Sequence, residues 1–84
     1  MKHSERLQAA FGKAMRGARM ALGISQEELA ARAQLHRTYV GDIERGKRNL
    51  SLVNMVKVAE ALGKKLSDLV RDMERHLRKS GVER

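Results

Sequence analysis

The sequence predicts an all-α fold, a single compact domain of five helices. Three observations carry this reading. Apolar residues recur at helical spacing throughout, and no stretch alternates apolar and polar residues as a half-buried strand would. Proline is absent, so no helix is broken by a missing N–H. Glycines and serines stand where short helices need to stop and start.

The first helix is expected over about residues 5–22, with Leu7, Phe11, Met15, Ala18 and Leu22 on one face. Gly12 and Gly17 each weaken it by roughly 1 kcal/mol relative to alanine. Gly23 ends it, since glycine tolerates the positive φ of a helix terminus. The second helix starts at Ser25, where Ser25 and Glu28 have the spacing of a capping box: the hydroxyl accepts an orphan N–H and the carboxylate reaches back. Its inward residues are Leu29, Ala30 and Ala33. A third helix is expected over about 37–45, with Val40 and Ile43 inward and Gly46 at its end. After the basic loop Lys47-Arg48-Asn49, Ser51 caps a fourth helix whose inward residues are Leu52, Met55, Val56, Ala59 and Leu62, closed by Gly63. Ser67 with Asp68 is expected to cap a fifth, reaching about Lys79 and carrying Leu69, Val70, Met73 and Leu77. Residues 1–10 read as an N-terminal arm entering the first helix, 11–79 as the domain proper, and 80–84 as a frayed, disordered tail.

Composition narrows the function. A domain of 84 residues buries only roughly 60% of its unfolded surface, so a second subunit is expected to help. The absence of cysteine excludes disulfides and thiolate metal sites. His3, His36 and His76 lie far apart without acidic partners at ligand spacing, so neither a metal nor another cofactor is expected, and the methionines serve as core or interface filler. No apolar run approaches the ~20 residues of a membrane span. The first six residues lack a signal peptide's apolar core, which makes a cytoplasmic, nucleoid-associated place the expectation. No nucleophile–base pair or phosphate loop stands out, and so small a core leaves little room for a catalytic pocket or a small-molecule ligand; an enzyme is not expected. Eighteen Lys and Arg against ten Asp and Glu give +8, which favours a polyanionic partner. With Phe11 and Tyr39 the only aromatics, there is no stacking platform for single strands.

Residues 25–46 carry the most information. They read as two short helices joined by a tight turn, the second opening with polar side chains long enough to touch bases. That is the pattern of a helix-turn-helix, whose second helix enters the DNA major groove. Steeply crossing helices need a small residue where their backbones approach, which is Ala30; the turn needs an apolar plug, Leu35; and the second helix must lock on the first, through Val40 and Ile43. Arg37, at the entrance of the third helix, is the candidate for base readout, since one guanidinium bonds guanine O6 and N7 together, worth ~1–3 kcal/mol of discrimination. Thr38 is a base contact or a helix cap; Tyr39 is a phosphate or base contact or a half-buried ring. Asp42 has the reach to accept from cytosine N4, or acts as a selectivity filter, because near DNA a carboxylate mostly repels. Lys47 and Arg48, with Arg45, form a basic cluster suited to phosphates.

Residues 23–30 and 39–46, extended by Ser51-Leu52 and by residues 59–63, resemble the Cro and phage-repressor (XRE-like) type of helix-turn-helix over roughly residues 11–70. Within that family, Arg37-Thr38-Tyr39, Ile43-Glu44-Arg45 and Arg48-Asn49 resemble the controller proteins of restriction–modification systems. The resemblance implies a phage-repressor-like domain that binds a palindromic operator in double-stranded DNA as a homodimer and regulates transcription. It implies that Gln26 touches a phosphate, that Arg37, Thr38 and Tyr39 meet base edges, that Arg48 and Asn49 hold the DNA backbone, and that Arg19 and Glu44 form a partly buried salt bridge. Glu44 lies near a helix end, where a negative charge is unfavourable unless paired. Glu27 is offered as a contact for RNA polymerase. Two positions depart from the family. Gln34 stands where glycine is usual, which costs roughly 1 kcal/mol if φ is positive. His36 stands where Asp, Ser or Thr would cap better.

Leu66, Leu69, Val70, Met73 and Leu77, with Val53, exceed what one small core needs and are expected to form the dimer interface, the fifth helix packing on its copy. Two recognition helices roughly 34 Å apart would then read successive turns of DNA. One alternative is an antitoxin that binds a protein toxin and its own promoter. Another is a basic helical module on RNA or an anionic membrane, which leaves the register from Leu29 to Ile43 unexplained.

Overall fold

The computed structural model describes residues 3–79. Among them are five α-helices and no strand: α1 (His3–Leu22), α2 (Gln26–Ala33), α3 (Arg37–Glu44), α4 (Leu52–Ala61) and α5 (Leu66–Lys79). The expected tail over 80–84 lies outside the described residues, as do residues 1 and 2 of the expected arm. The remainder of that arm, from His3, is already helical.

Each helix buries one stripe in a common core. Met15, Leu29, Val40, Ile43, Val58 and Leu69 are fully enclosed, so all five helices contribute at least one such side chain. On α1 the stripe is Ala10, Phe11, Ala14, Met15 and Ala18. Leu22, expected inward, is exposed, because it is the last residue of α1 and the chain turns directly after it. Ile24, just past Gly23, packs on the core instead.

The start signals work with two corrections. Ser25 Oγ accepts from the Glu28 N–H at 3.0 Å, and Ser51 Oγ from the Asn54 N–H at 3.1 Å. The Glu28 carboxylate does not reach back; it accepts from Arg32 Nε at 3.0 Å, a charged donor one turn along. Ser67 does not cap α5. The Asp68 and Leu69 N–H groups both donate to the Lys65 carbonyl, so the helix begins at Leu66 and Ser67 lies inside its first turn.

Two glycines are required by their surroundings. A Cβ on Gly12 would lie 2.3 Å from the Ile43 carbonyl oxygen and 2.8 Å from that of Glu44, so α1 and α3 meet backbone to backbone there. Gly46 ends α3 at φ 77°, and a Cβ would lie 2.9 Å from Ala9 Cα. The turn between α2 and α3 lacks such a glycine: Gln34 takes φ 58°, ψ 46°, in the left-handed region, and its N–H closes on the Ala30 and Ala31 carbonyls.

The last two helices correct the sequence reading most. The inward stripe of α4 is Met55, Val58, Ala59 and Leu62, whereas Leu52, expected inward, is 64% exposed because the first turn of α4 overhangs the core edge. Leu69, expected in the dimer interface, is 0% exposed within the single chain. Leu66 and Met73 pack against the same core. The long α1 gives α5 an apolar wall of its own, and this absorbs the residues that looked surplus. Val70 and Leu77 are half-buried, and Val53, at 64% exposed, stays on the surface.

Candidate nucleic-acid interface

The site is built on the end of α3. The side chain of Glu44, its last residue, is 3% exposed, and its carboxylate accepts from three donors. Arg19 Nε bonds Oε2 at 2.7 Å, Arg19 Nη2 bonds Oε1 at 3.0 Å, and Gln26 Nε2 bonds Oε1 at 3.0 Å. Arg19 Nη1 donates to the Ile24 carbonyl at 2.9 Å, so one guanidinium joins α1, the α1–α2 turn and α3. Its pKa is raised above the ordinary arginine range, chiefly by the hydrogen bonds to Glu44, against the burial that lowers it and with a smaller contribution from that carboxylate's charge. A raised value on a cation makes this contribution complete below the unfolded pKa and lost only above it, so the clamp holds throughout neutral and mildly alkaline pH.

With α3 held by one end, its other side faces outward. Arg37 and Thr38 are exposed at its start, where His36 is the N-cap residue with no side-chain cap bond. Gly41 is buried beneath its neighbours: a Cβ there would come within 3.3 Å of Arg45 Nη1 and 3.5 Å of Gln26 Oε1. Gln26, Arg37, Thr38, Gly41 and Arg45 thus line one shallow groove along the helix. Of these, Arg45 was read from sequence only as part of the basic cluster. Its position four residues after Gly41 and eight after Arg37 is the signal that puts it on the same face.

A second group lies beside the first. The Tyr39 ring is half-buried against the core, and its hydroxyl accepts from Asn54 Nδ2 at 3.1 Å. The Arg48 guanidinium sits 5.1 Å from that ring's centroid, within cation–π range. Asp42 Oδ2 accepts from Arg48 Nε at 3.3 Å, and Asp42 Oδ1 accepts from Arg45 Nη2. Lys47 and Asn49 are exposed in the loop, and the Lys47 N–H closes the turn onto the Asp42 carbonyl at 2.9 Å. Asn54 was missed; a polar residue in the otherwise apolar run Leu52-Val53-Asn54-Met55-Val56 was the available clue. Glu27 is exposed on α2. Among the described residues no group of three His, Asp or Glu is placed to hold a metal ion, and no helix is long and apolar enough to cross a membrane.

Two crossed helices locked by Leu29, Ala30, Val40 and Ile43, with the second presenting polar and basic side chains, define a helix-turn-helix protein. The chain belongs to the helix-turn-helix family, which matches residues 15–69. Its relatives include the control protein C.BamHI of Bacillus amyloliquefaciens, 49% identical over 61 residues that span 71% of this chain and 75% of the relative. Among solved structures it is similar to the restriction-modification controller protein C.AhdI from Aeromonas hydrophila, at TM-score 0.72 and 48% identity over 74% of this chain and 94% of that one. It is also similar to the restriction-modification controller protein C.Esp1396I, solved as a tetramer with its natural 35 base-pair operator, at TM-score 0.79 and 25% identity over 84% of this chain and 93% of that one. The resemblance read from residues 37–49 is to this same group of relatives.

Proposed function

We propose that this chain is a sequence-specific double-stranded DNA-binding regulator of transcription, acting as a homodimer on a palindromic operator in the manner of a restriction–modification controller. The observation that carries the reading is the exposed edge of α3: Arg37 and Thr38 stand clear of the body while Glu44 anchors the far end of the same helix. A short helix fixed at one end and bare at the other suits insertion into the major groove. Arg37 and Thr38 read bases; Gln26, Arg45, Lys47, Arg48 and Asn49 meet phosphates; Tyr39 acts from the margin, tied to Asn54. The controller relatives favour this reading over the antitoxin alternative.

The second copy is supported by surface apolar residues. Leu52 and Val53 lie side by side at the start of α4, both largely exposed, and Val70 and Leu77 are half-buried on α5. Burying such residues against a copy also answers the marginal stability of a small domain. The function is binding rather than catalysis, and its place is the cytoplasm, at the DNA. Selection of sites from random duplex DNA at about 150 mM salt tests the proposal. Enrichment of a palindrome with half-sites one helical turn apart is the expected result. Binding without enrichment, collapsing as salt rises, would reduce the protein to a phosphate binder.

A further inference from the structure

We propose that Asp42 is a specificity-determining residue of this surface: by holding Arg45 and Arg48 in the free protein it suppresses attachment to DNA of arbitrary sequence. The inference rests on the DNA-binding reading above.

The geometry is a three-group cluster on the outer side of α3. One carboxylate oxygen of Asp42 faces Arg45 and the other faces Arg48, and the Arg48 guanidinium also lies over the Tyr39 ring. Both arginines remain more than half open to solvent or nearly so, with side chains 58% and 50% exposed, whereas Asp42 is drawn in to 20%. Asp42 therefore occupies one guanidinium nitrogen on each arginine and holds its charge beside both, so that a phosphate must compete with it. A carboxylate and a phosphate oxygen compete for the same guanidinium fork. Of the other acids nearby, Glu44 is engaged by Arg19 and Gln26 and Glu28 by Arg32, while Glu5 lines a hollow with Arg45 and Lys47 and Glu27 is exposed beside Gln26. Exposed ion pairs of this type add little to folding, so their effect is felt mainly when an anion arrives.

The suppression differs between DNA sequences. On DNA without the right bases, affinity comes from phosphates alone, and there the Asp42 charge both withholds two cations and repels the backbone. On the operator, Arg37 and Thr38 seat α3 in the groove. Asp42 then lies over base edges, where an amino group such as cytosine N4 satisfies it, while Arg45 and Arg48 transfer to fixed phosphates.

The test is Asp42→Asn, which keeps shape and removes charge, measured with a mixed-sequence duplex and with the site enriched in the selection above. On the mixed duplex the variant is expected to bind about fivefold or more tighter, with the slope of log affinity against log salt steeper by ~1–2, since each recruited cation releases about one counterion. Affinity for the enriched site rises by clearly less than on the mixed duplex, because the weakened contact to the base amino group offsets the freed arginines, so the specificity ratio falls. Asp68→Asn, which removes an acid paired with Arg71 on α5, is the control for net charge and should leave both affinities near wild type. Adding Arg45→Gln and Arg48→Gln to Asp42→Asn should abolish the gain. If Asp42→Asn binds the mixed duplex no better, if Asp68→Asn gains equally, or if the gain survives loss of both arginines, the proposal is overturned while the DNA-binding reading stands. If the wild type binds no duplex even at low salt, both fall.

Discussion

Gly12 and Gly17 share a helix and, by propensity alone, replacing either with alanine should stabilise α1 by about 1 kcal/mol. The structure gives them opposite signs. At Gly17 nothing lies within 4 Å of an added Cβ, so Gly17→Ala keeps the whole gain. At Gly12 the Cβ meets the carbonyl oxygen of Ile43 at 2.3 Å and that of Glu44 at 2.8 Å. Relief requires α1 and α3 to part by about 1 Å in an interior packed like a crystal. Ile43 cannot follow freely, because its side chain is fully enclosed, and parting the helices also stretches the bonds from Arg19 to Glu44. Overpacking of this kind costs roughly 1–3 kcal/mol and here falls at the upper end, because the obstacle is backbone. The net effect of Gly12→Ala is a loss of about 2 kcal/mol, which places the two variants about 3 kcal/mol apart. At about 4–8 °C per kcal/mol for a domain of this size, their melting temperatures should differ by more than about 10 °C. Thermal unfolding followed by circular dichroism reads this directly. A Gly12→Ala protein that melts at or above wild type would show that the helices do not meet as described.

Three further outcomes follow from the same packing. Glu44→Ala leaves Arg19 mostly buried beside its lost partner, and should lower stability by about 3 kcal/mol in urea titration, with Glu44→Gln recovering part of the loss. Gln34→Gly relieves a left-handed backbone at φ 58° and should raise the unfolding midpoint by the equivalent of about 0.5–1 kcal/mol; no rise would mean the turn is unstrained. Leu69→Asp should abolish folding in circular dichroism, whereas Leu52→Asp should keep the fold and shift light scattering toward the monomer. An unchanged dimer in Leu52→Asp would remove the start of α4 from the interface.

Much of this fold was written locally. Ser25 and Ser51 mark helix starts through their own hydroxyls, and Gly23, Gly46 and Gly63 mark ends through their own φ, so neither needs knowledge of the rest of the chain. The lock of Ala30, Val40 and Ile43 is legible for the same reason, being contained within one short motif. What was misread depends on partners far away in sequence. Leu69 is apolar at helical spacing whether it faces a copy or α1, and only the length and path of α1 decide. Leu52 belongs to the same stripe as Ala59 and is exposed because the core ends before it. The role of Gly12 was invisible because a close backbone approach leaves no mark beyond the glycine itself. At the site, Arg37 and Thr38 follow from position on α3, whereas the ties of Asp42 to two arginines and of Tyr39 to Asn54 require the loop and α4 in place.

The packing of α5 against α1 has a bearing on how the protein is made. The recognition helix ends at Glu44, yet the core that supports it lacks Leu69 until α5 has been synthesised. A nascent chain that already contains every candidate DNA contact has no completed wall beneath α1, and α1 in turn carries the arginine that holds α3. At synthesis rates of about 5–20 residues per second this interval lasts a few seconds. The packed setting of α3 is therefore expected to arrive with α5 rather than to grow with the chain, and a fragment that stops before α5 should fail to hold α3 in place.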